Sequence, residues 1–160
     1  MTFDRVAPTL IFGWGNPGRG DDALGPRLVS EIAKQQPEHP EWSPVDVLTD
    51  FQLQVEHVLD MVGRRRVLFV DADAGTQAND SGFEVRPLSP VHDPSFTTHA
   101  MSPQAVMEVF RLTQDDPLPD CRLLAIKGTS FELGDDLTPA ARANLAAAFA
   151  WTCDWLREAV

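Results

Sequence analysis

Residues 8–25 have the sequence PTLIFGWGNPGRGDDALG, and this stretch decides the fold class. It begins with a short apolar run, continues as a loop rich in glycine and proline, and leads into apolar residues at helical spacing as far as about Lys34. A buried strand that ends at a functional turn has this pattern. The stretch therefore predicts a first strand over 8–13 and a first helix that starts near Ala23.

The rest of the chain repeats this alternation of apolar runs and helical patterns. Further strands are predicted at 45–49, 67–70, 83–88 and 123–126, and further helices at 53–62, 103–112 and 138–158. Only about ten residues separate the strand at 83–88 from the preceding one, too few for a crossover helix, so we expect it to run antiparallel near an edge. The alternation predicts an α/β three-layer sandwich, with helices on both faces of a twisted, mostly parallel sheet of about five strands.

Composition and charge exclude several classes of function. The chain has 160 residues, with 13 Lys and Arg against 24 Asp and Glu, and a formal net charge of −11. The length fits a single domain over 1–160. So acidic a chain is not expected to bind nucleic acid or anionic lipid.

There is no apolar run of ~18 residues for a membrane span, and the N-terminus lacks the features of a secretory signal. The two cysteines, Cys121 and Cys153, form no disulfide framework. We expect a cytoplasmic monomer.

Three potential metal ligands stand where strands end or a helix begins. Asp22 closes the Gly-rich loop together with Asp21, Asp71 directly follows the third apolar run, and His99 precedes the helix at 103–112. Functional groups of open α/β sheets gather at the carboxyl ends of the strands, so we expect these side chains to converge there. Two carboxylates and an imidazole suit a divalent transition metal, and three protein ligands leave coordination positions open for a substrate.

Each of these residues also has a structural interpretation. Asp22 is a candidate N-cap of the first helix, with Asp21 in the turn. Asp71 could satisfy backbone donors in a loop. A lone histidine such as His99 is more often a surface or hydrogen-bonded group than a ligand. We assign structural or solvated positions to the other three histidines and to an arginine triplet, namely His39, His57, His92 and Arg64–Arg66.

The glycines of the loop also allow a nucleotide-binding interpretation. Gly13, Gly15 and Gly18 match G-x-G-x-x-G, which in dinucleotide-binding proteins leads directly into a helix whose N–H groups meet the pyrophosphate. Here Pro17 and Gly20 argue against a helix that starts near Gly15, and two acidic residues stand where the phosphate would lie. A nucleotide-binding α/β domain is kept as an alternative.

The ordered motifs resemble those of the hydrogenase maturation endopeptidases. GWGNPGRGDDALGP is similar to the family's opening motif, in which a strand leads to G-x-G-N and, four residues later, to an acidic pair followed by x-x-G. Two further family features follow in order: a strand that ends in Asp, here LFVDADAG, and a His before a helix, here TTHAMSP. LTPAARANL also resembles the start of the family's terminal helix. The resemblance spans nearly the whole chain.

The segment after the second strand departs from the family pattern. Many members have Asp-Gly-Gly there, whereas this chain has TDFQLQVE. The FQLQ segment is similar to that of peptidases that serve the soluble NAD-coupled hydrogenases, which indicates this subclass.

The resemblance implies an activity and a ligand set. Members remove a C-terminal peptide from the large-subunit precursor of a nickel–iron hydrogenase after nickel insertion, and nickel in the substrate is the recognition element. Carried over, the metal ligands and candidate catalytic residues are Asp22, Asp71 and His99. Asn16 and Asp21 are expected to position the substrate. The implied class is a metal-dependent, aspartyl-type endopeptidase with nickel supplied by its substrate. A non-enzymatic nickel chaperone with the same ligands is the alternative.

Overall fold

The computed structural model describes residues 5–75, 81–92 and 100–160. The strands are β1 (Thr9–Trp14), β2 (Val45–Asp50), β3 (Arg66–Asp73), β4 (Phe83–Pro87) and β5 (Asp120–Lys127), and the α-helices are α1 (Leu24–Gln35), α2 (Pro103–Thr113) and α3 (Pro139–Arg157). Short 3₁₀ helices cover Gly20–Ala23, Gln36–Glu38 and Val55–Met61. Among the described helices, none is both long and apolar enough to cross a membrane.

The described strands form one mixed sheet in the order β2-β1-β3-β5-β4. Neighbouring strands from β2 to β5 are parallel, and β4 runs antiparallel to β5 at the edge. The predicted five-stranded sheet with one antiparallel strand is therefore confirmed.

Helices cover both faces of the sheet, as the alternation predicts. Ile11 of β1 lies in a buried cluster with residues of α1 and α3, whereas its neighbours Leu10 and Phe12 lie in a second cluster with α2 and the 3₁₀ helix Val55–Met61. Successive strand residues point to opposite faces, and both faces of this strand are buried, which explains its continuous apolar run. Burying each such side chain contributes roughly 1.5–3 kcal/mol.

Three local predictions need correction. The segment predicted as a helix over 53–62 forms only the 3₁₀ helix Val55–Met61. β3 extends to Asp73, three residues beyond the predicted end at Val70. Pairing with β1 stops at Val70, but pairing with β5 continues to Asp73. The arginine triplet is not a solvated turn, since Arg66 is buried, donates to Thr9 Oγ1 (2.8 Å) and stacks over Trp155 at 3.9 Å.

The start of α1 packs directly against the ends of β1 and β3. A Cβ on Gly25 would lie 2.7 Å from the Trp14 carbonyl oxygen and 2.8 Å from that of Val70. Both neighbours are backbone atoms, which cannot move aside as a flexible side chain can. The glycine therefore allows the acidic turn that precedes α1 to sit at the carboxyl edge of the sheet.

Candidate active site at the carboxyl edge of the sheet

Strand order reverses at β1, which lies between β2 and β3. Trp14 pairs with Asp50 of β2, and Gly13 pairs with Val70, one residue before Asp71 on β3. The carboxyl ends of the three strands therefore lie side by side. In open α/β sheets, this reversal point is where ligands bind.

Asp71 is a half-buried acid at this edge. The pKa of its carboxyl group is raised to about 7, mainly by burial and to a smaller extent by the neighbouring carboxylates of Asp22 and Asp73, against a hydrogen bond from the Ala72 N–H that lowers it. Gly25, three residues after Asp22, packs against the carbonyl oxygen of Val70, the residue before Asp71, so the structure brings these two predicted ligands to the same edge of the sheet although 49 positions separate them in the sequence. Such perturbed acids mark candidate functional sites.

Asp22 lies in the 3₁₀ turn Gly20–Ala23 and is not a helix cap. Ala23 is the N-cap of α1 and its side chain caps no N–H, so the N-cap interpretation of Asp22 is wrong. Oδ2 of Asp22 accepts a 2.6 Å hydrogen bond from the Asn16 N–H. Gly15 has φ +144°, and a Cβ there would lie 2.1 Å from the Asp22 carbonyl oxygen. The Gly-rich loop thus wraps closely around Asp22.

Asp21 is fully buried and holds the loop between β5 and α3. Its Oδ1 accepts from the Thr138 N–H (2.8 Å), and its Oδ2 accepts from the Thr129 N–H (2.8 Å), the Ser130 N–H (3.2 Å) and the Thr138 hydroxyl (2.8 Å). Burial acts to raise the pKa of Asp21, but these hydrogen bonds outweigh it and lower the pKa. A carboxylate enclosed in this way anchors the acidic turn, and it offers no surface on which a peptide could lie in this conformation.

Asn16 shapes the same loop. Its Oδ1 accepts from the Gly18 N–H at 2.8 Å, which closes a tight turn, while its own N–H is bonded to Asp22. A direct contact of Asn16 with a substrate stays a prediction. The first α-helix after the loop begins only at Leu24, so the helix N-terminus that a dinucleotide would need does not follow Gly15 directly.

The third predicted ligand, His99, lies outside the described residues. Met101, which follows it by two positions, donates its N–H to the Leu53 carbonyl at 3.0 Å, in the segment directly after β2. Within 5–75, 81–92 and 100–160 there is no group of three or more His, Cys, Asp or Glu side chains that could hold a metal ion. The carboxylates of Asp22 and Asp71 disfavour each other's ionisation, and a bound cation would relieve this repulsion, so the two residues are compatible with the predicted metal; the three-ligand set with His99 stays a prediction.

The sequence analysis missed a pairing of Asp50 with His57. Nε2 of His57 lies 3.1 Å from Asp50 Oδ2, and Nδ1 accepts from the Gln54 N–H at 2.8 Å. His57 is only 9% exposed and packs edge-on against Phe12, with ring centroids 4.5 Å apart. The only signal in the sequence was an Asp at a strand end with a His seven residues later.

A cleft of about 260 Å³ opens beside the Gly-rich loop. Three of the residues that line it are apolar, and the last residues of β2 also line it. The complete lining is Gly15, Pro17, Pro26, Thr49, Asp50 and Phe51. The edge therefore combines the carboxyl groups of Asp22 and Asp71 with an adjacent groove that could accommodate part of a polypeptide.

The overall structure is similar to several solved structures. The chain matches the hydrogenase maturating endopeptidase HybD from Escherichia coli with a TM-score of 0.69 and 22% identity, over 93% of this chain and 91% of that one. The [NiFe] hydrogenase maturation protease HycI from Thermococcus kodakarensis KOD1 gives a TM-score of 0.69 and 21% identity, over 98% and 96%. An endopeptidase from Escherichia coli gives a TM-score of 0.66 and 24% identity, over 93% of this chain and 91% of that one. No protein-family model and no curated protein matches the chain. The chain therefore has the fold of the solved hydrogenase maturation endopeptidases.

Proposed function

We propose that the protein is an endopeptidase that removes a C-terminal peptide from the large-subunit precursor of a nickel–iron hydrogenase. One observation carries the proposal: Asp22 and Asp71 form an acidic pair at the carboxyl edge of a sheet whose fold is that of the maturation endopeptidases. The motifs of the sequence support the same activity, because the acidic turn and the strand that contains Asp71 occur in the family's order.

The acidic pair suits recognition of a metal that the substrate carries. Asp22 and Asp71 are hard oxygen ligands, and a site that lacks thiolates is expected to hold nickel weakly by itself. It can instead add ligands to nickel already bound in the precursor, so that cleavage depends on whether nickel has been inserted. His99 is the proposed third ligand. When bound, the metal supplies Lewis-acid polarisation of a carbonyl or activation of water.

Asp71 is also suited to hold and release a proton. A carboxyl group with a pKa near 7 exists in both protonation states at neutral pH, which is the requirement for a general acid or base. Binding of the substrate's cation favours the ionised form, so substrate binding is expected to release a proton from this site. The Asn16 N–H donates to the carboxylate of Asp22 and thereby helps to fix its position in the turn.

The experiment is incubation of the purified protein with precursor large subunit, with and without nickel, followed by measurement of the intact mass. The proposal expects loss of a C-terminal peptide only from the nickel-loaded precursor. Nickel transfer without shortening would instead support a chaperone. Heat protection by a nucleotide, with an uncut precursor, would support the nucleotide-binding alternative. Uncut nickel-loaded precursor would refute the proposal.

A further inference from the structure

The pair formed by Asp50 and His57 is a polar unit that the acidic pair does not explain. Asp50 is the last residue of β2 and one of the residues that line the cleft, and its side chain is 38% exposed. His57 belongs to the 3₁₀ helix Val55–Met61 and lies beneath it, almost completely buried. A buried histidine bonded to a carboxylate that lines a groove can serve to hold that carboxylate in place.

The hydrogen bonds of His57 define its tautomer. Nδ1 receives the Gln54 N–H at 2.8 Å and must therefore be unprotonated. The ring proton then resides on Nε2, which donates to Asp50 Oδ2 at 3.1 Å. The second oxygen of Asp50, Oδ1, accepts from the Phe51 N–H at 2.7 Å. Both oxygens are thus held from the protein side, which fixes the rotamer of Asp50.

Each carboxylate oxygen has only one donor from the protein and can accept a further hydrogen bond, and the side chain is partly exposed. An ionised carboxylate only accepts hydrogen bonds, so its ligand has to present donors, as the N–H groups of a peptide do. Gly15 donates its N–H to the Asp50 carbonyl at 3.1 Å, which joins this wall of the cleft to the loop around Asp22.

The register places Asp50 within reach of a peptide bound at the acidic pair. Asp50 pairs with Trp14, and Phe69, two residues before Asp71, pairs with Phe12, so Asp50 and Asp71 point to the same face. Two strand spacings separate their backbones, which is roughly 10 Å. An extended peptide covers that distance in about three residues.

We propose that Asp50 binds N–H groups of the precursor peptide about three residues from the scissile bond, and that His57 is the residue that positions Asp50. This inference rests on the proposed function. His57 acts through Asp50 and does not itself contact the substrate. Since the pair lies beside the reacting edge, it governs substrate affinity more than the rate of the cleavage step.

The test compares two substitutions of His57 that differ only in their hydrogen bonds. His57→Phe keeps an aromatic ring against Phe12 but removes the donor to Asp50 and the acceptor for the Gln54 N–H. His57→Gln keeps one donor and one acceptor. For processing of the nickel-loaded precursor, we expect His57→Phe to raise KM roughly 10-fold with kcat changed less than about threefold, and His57→Gln to stay within about threefold of the wild-type KM.

A double substitution separates positioning from a general structural role. If His57 acts through Asp50, then Asp50→Ala also raises KM, and adding His57→Phe to Asp50→Ala has no further effect on KM. A merely structural role would lower thermal stability and the amount of active enzyme, and would leave KM unchanged. In the wild-type protein, ¹⁵N NMR of the imidazole is expected to show a proton on Nε2 and none on Nδ1.

Three results would overturn the inference. A wild-type KM for His57→Phe in an active enzyme, or a proton on Nδ1, would remove His57 as the positioning residue and leave the proposed function intact. A wild-type protein that leaves the nickel-loaded precursor uncut would refute the proposed function, and this inference with it.

Discussion

Replacing Asp71 by Asn is expected to stabilise the isolated protein at pH 8. Burial and the neighbouring carboxylates of Asp22 and Asp73 oppose ionisation of Asp71, so its negative charge costs free energy of folding. Asn has nearly the same shape and can still accept a hydrogen bond from the Ala72 N–H. The substitution therefore removes the charge while it preserves most of the packing.

The magnitude and its sign follow from the pKa of Asp71. In the unfolded chain the carboxyl ionises near 3.8, whereas in the folded protein it keeps its proton up to about 7. Folding therefore takes up a proton between these values, and stability falls as pH rises through this window. A difference of about 3 pKa units at about 1.4 kcal/mol each gives a cost of up to about 4 kcal/mol above pH 7 and none below pH 3.8.

Urea unfolding of the wild type and the Asp71→Asn variant between pH 4 and pH 8 measures this cost. We expect the free energy of unfolding to differ little at pH 4 and the variant to be more stable by about 3 kcal/mol at pH 8. Asp120→Asn is the matched control, since Asp120 lies at the opposite, amino end of β5. A variant that is less stable at pH 8, or a difference that does not change with pH, would refute the reasoning.

The remaining predictions concern the turn, the packing of α1 and the third ligand. Asp21→Asn should lower the free energy of unfolding, measured by urea denaturation, by about 3 kcal/mol. The amide group of Asn would place N–H donors against the N–H groups that now donate to the carboxylate. An unchanged free energy of unfolding would exclude the anchoring role of Asp21. Gly25→Ala should cost about 2 kcal/mol through overlap with backbone oxygens, whereas Gly75→Ala, where a Cβ would be 3.6 Å from its nearest neighbour, should cost less than about 1 kcal/mol. Equal costs would contradict this explanation. His99→Ala should abolish processing and leave the circular dichroism spectrum unchanged, and normal processing would remove His99 from the site.

The fold was predictable because each core strand and helix has a recognisable pattern in its own stretch of the sequence. Strands buried on both faces appear as continuous apolar runs, and the helices that cover them begin at proline or follow a turn. In the structure, Ser102 and Thr138 cap α2 and α3 through their side-chain oxygens. The extension of β3 to Asp73 depends on pairing with β5, and no local pattern of the sequence indicates it.

The sequence indicated only those site residues that come at the end of a predicted strand or belong to a motif. Asp22 and Asp71 were identified as candidates in this way, and their roles stay predictions. Three long-range relations were missed, because each depends on which strands and loops become neighbours. They are the anchoring of the β5–α3 loop by Asp21, the support of Asp50 by His57, and the stacking of Arg66 over Trp155.

A stabilised Asp71→Asn variant would be unable to perform the proposed chemistry, as is common where function requires a destabilised site. The most direct test of the account is the intact mass of nickel-loaded precursor after incubation at pH 8 with Asp71→Asn or with Asp120→Asn. The account predicts full-length precursor with Asp71→Asn and shortened precursor with Asp120→Asn. Shortened precursor with both variants would contradict the claim that the acidic pair at the carboxyl edge is the active site.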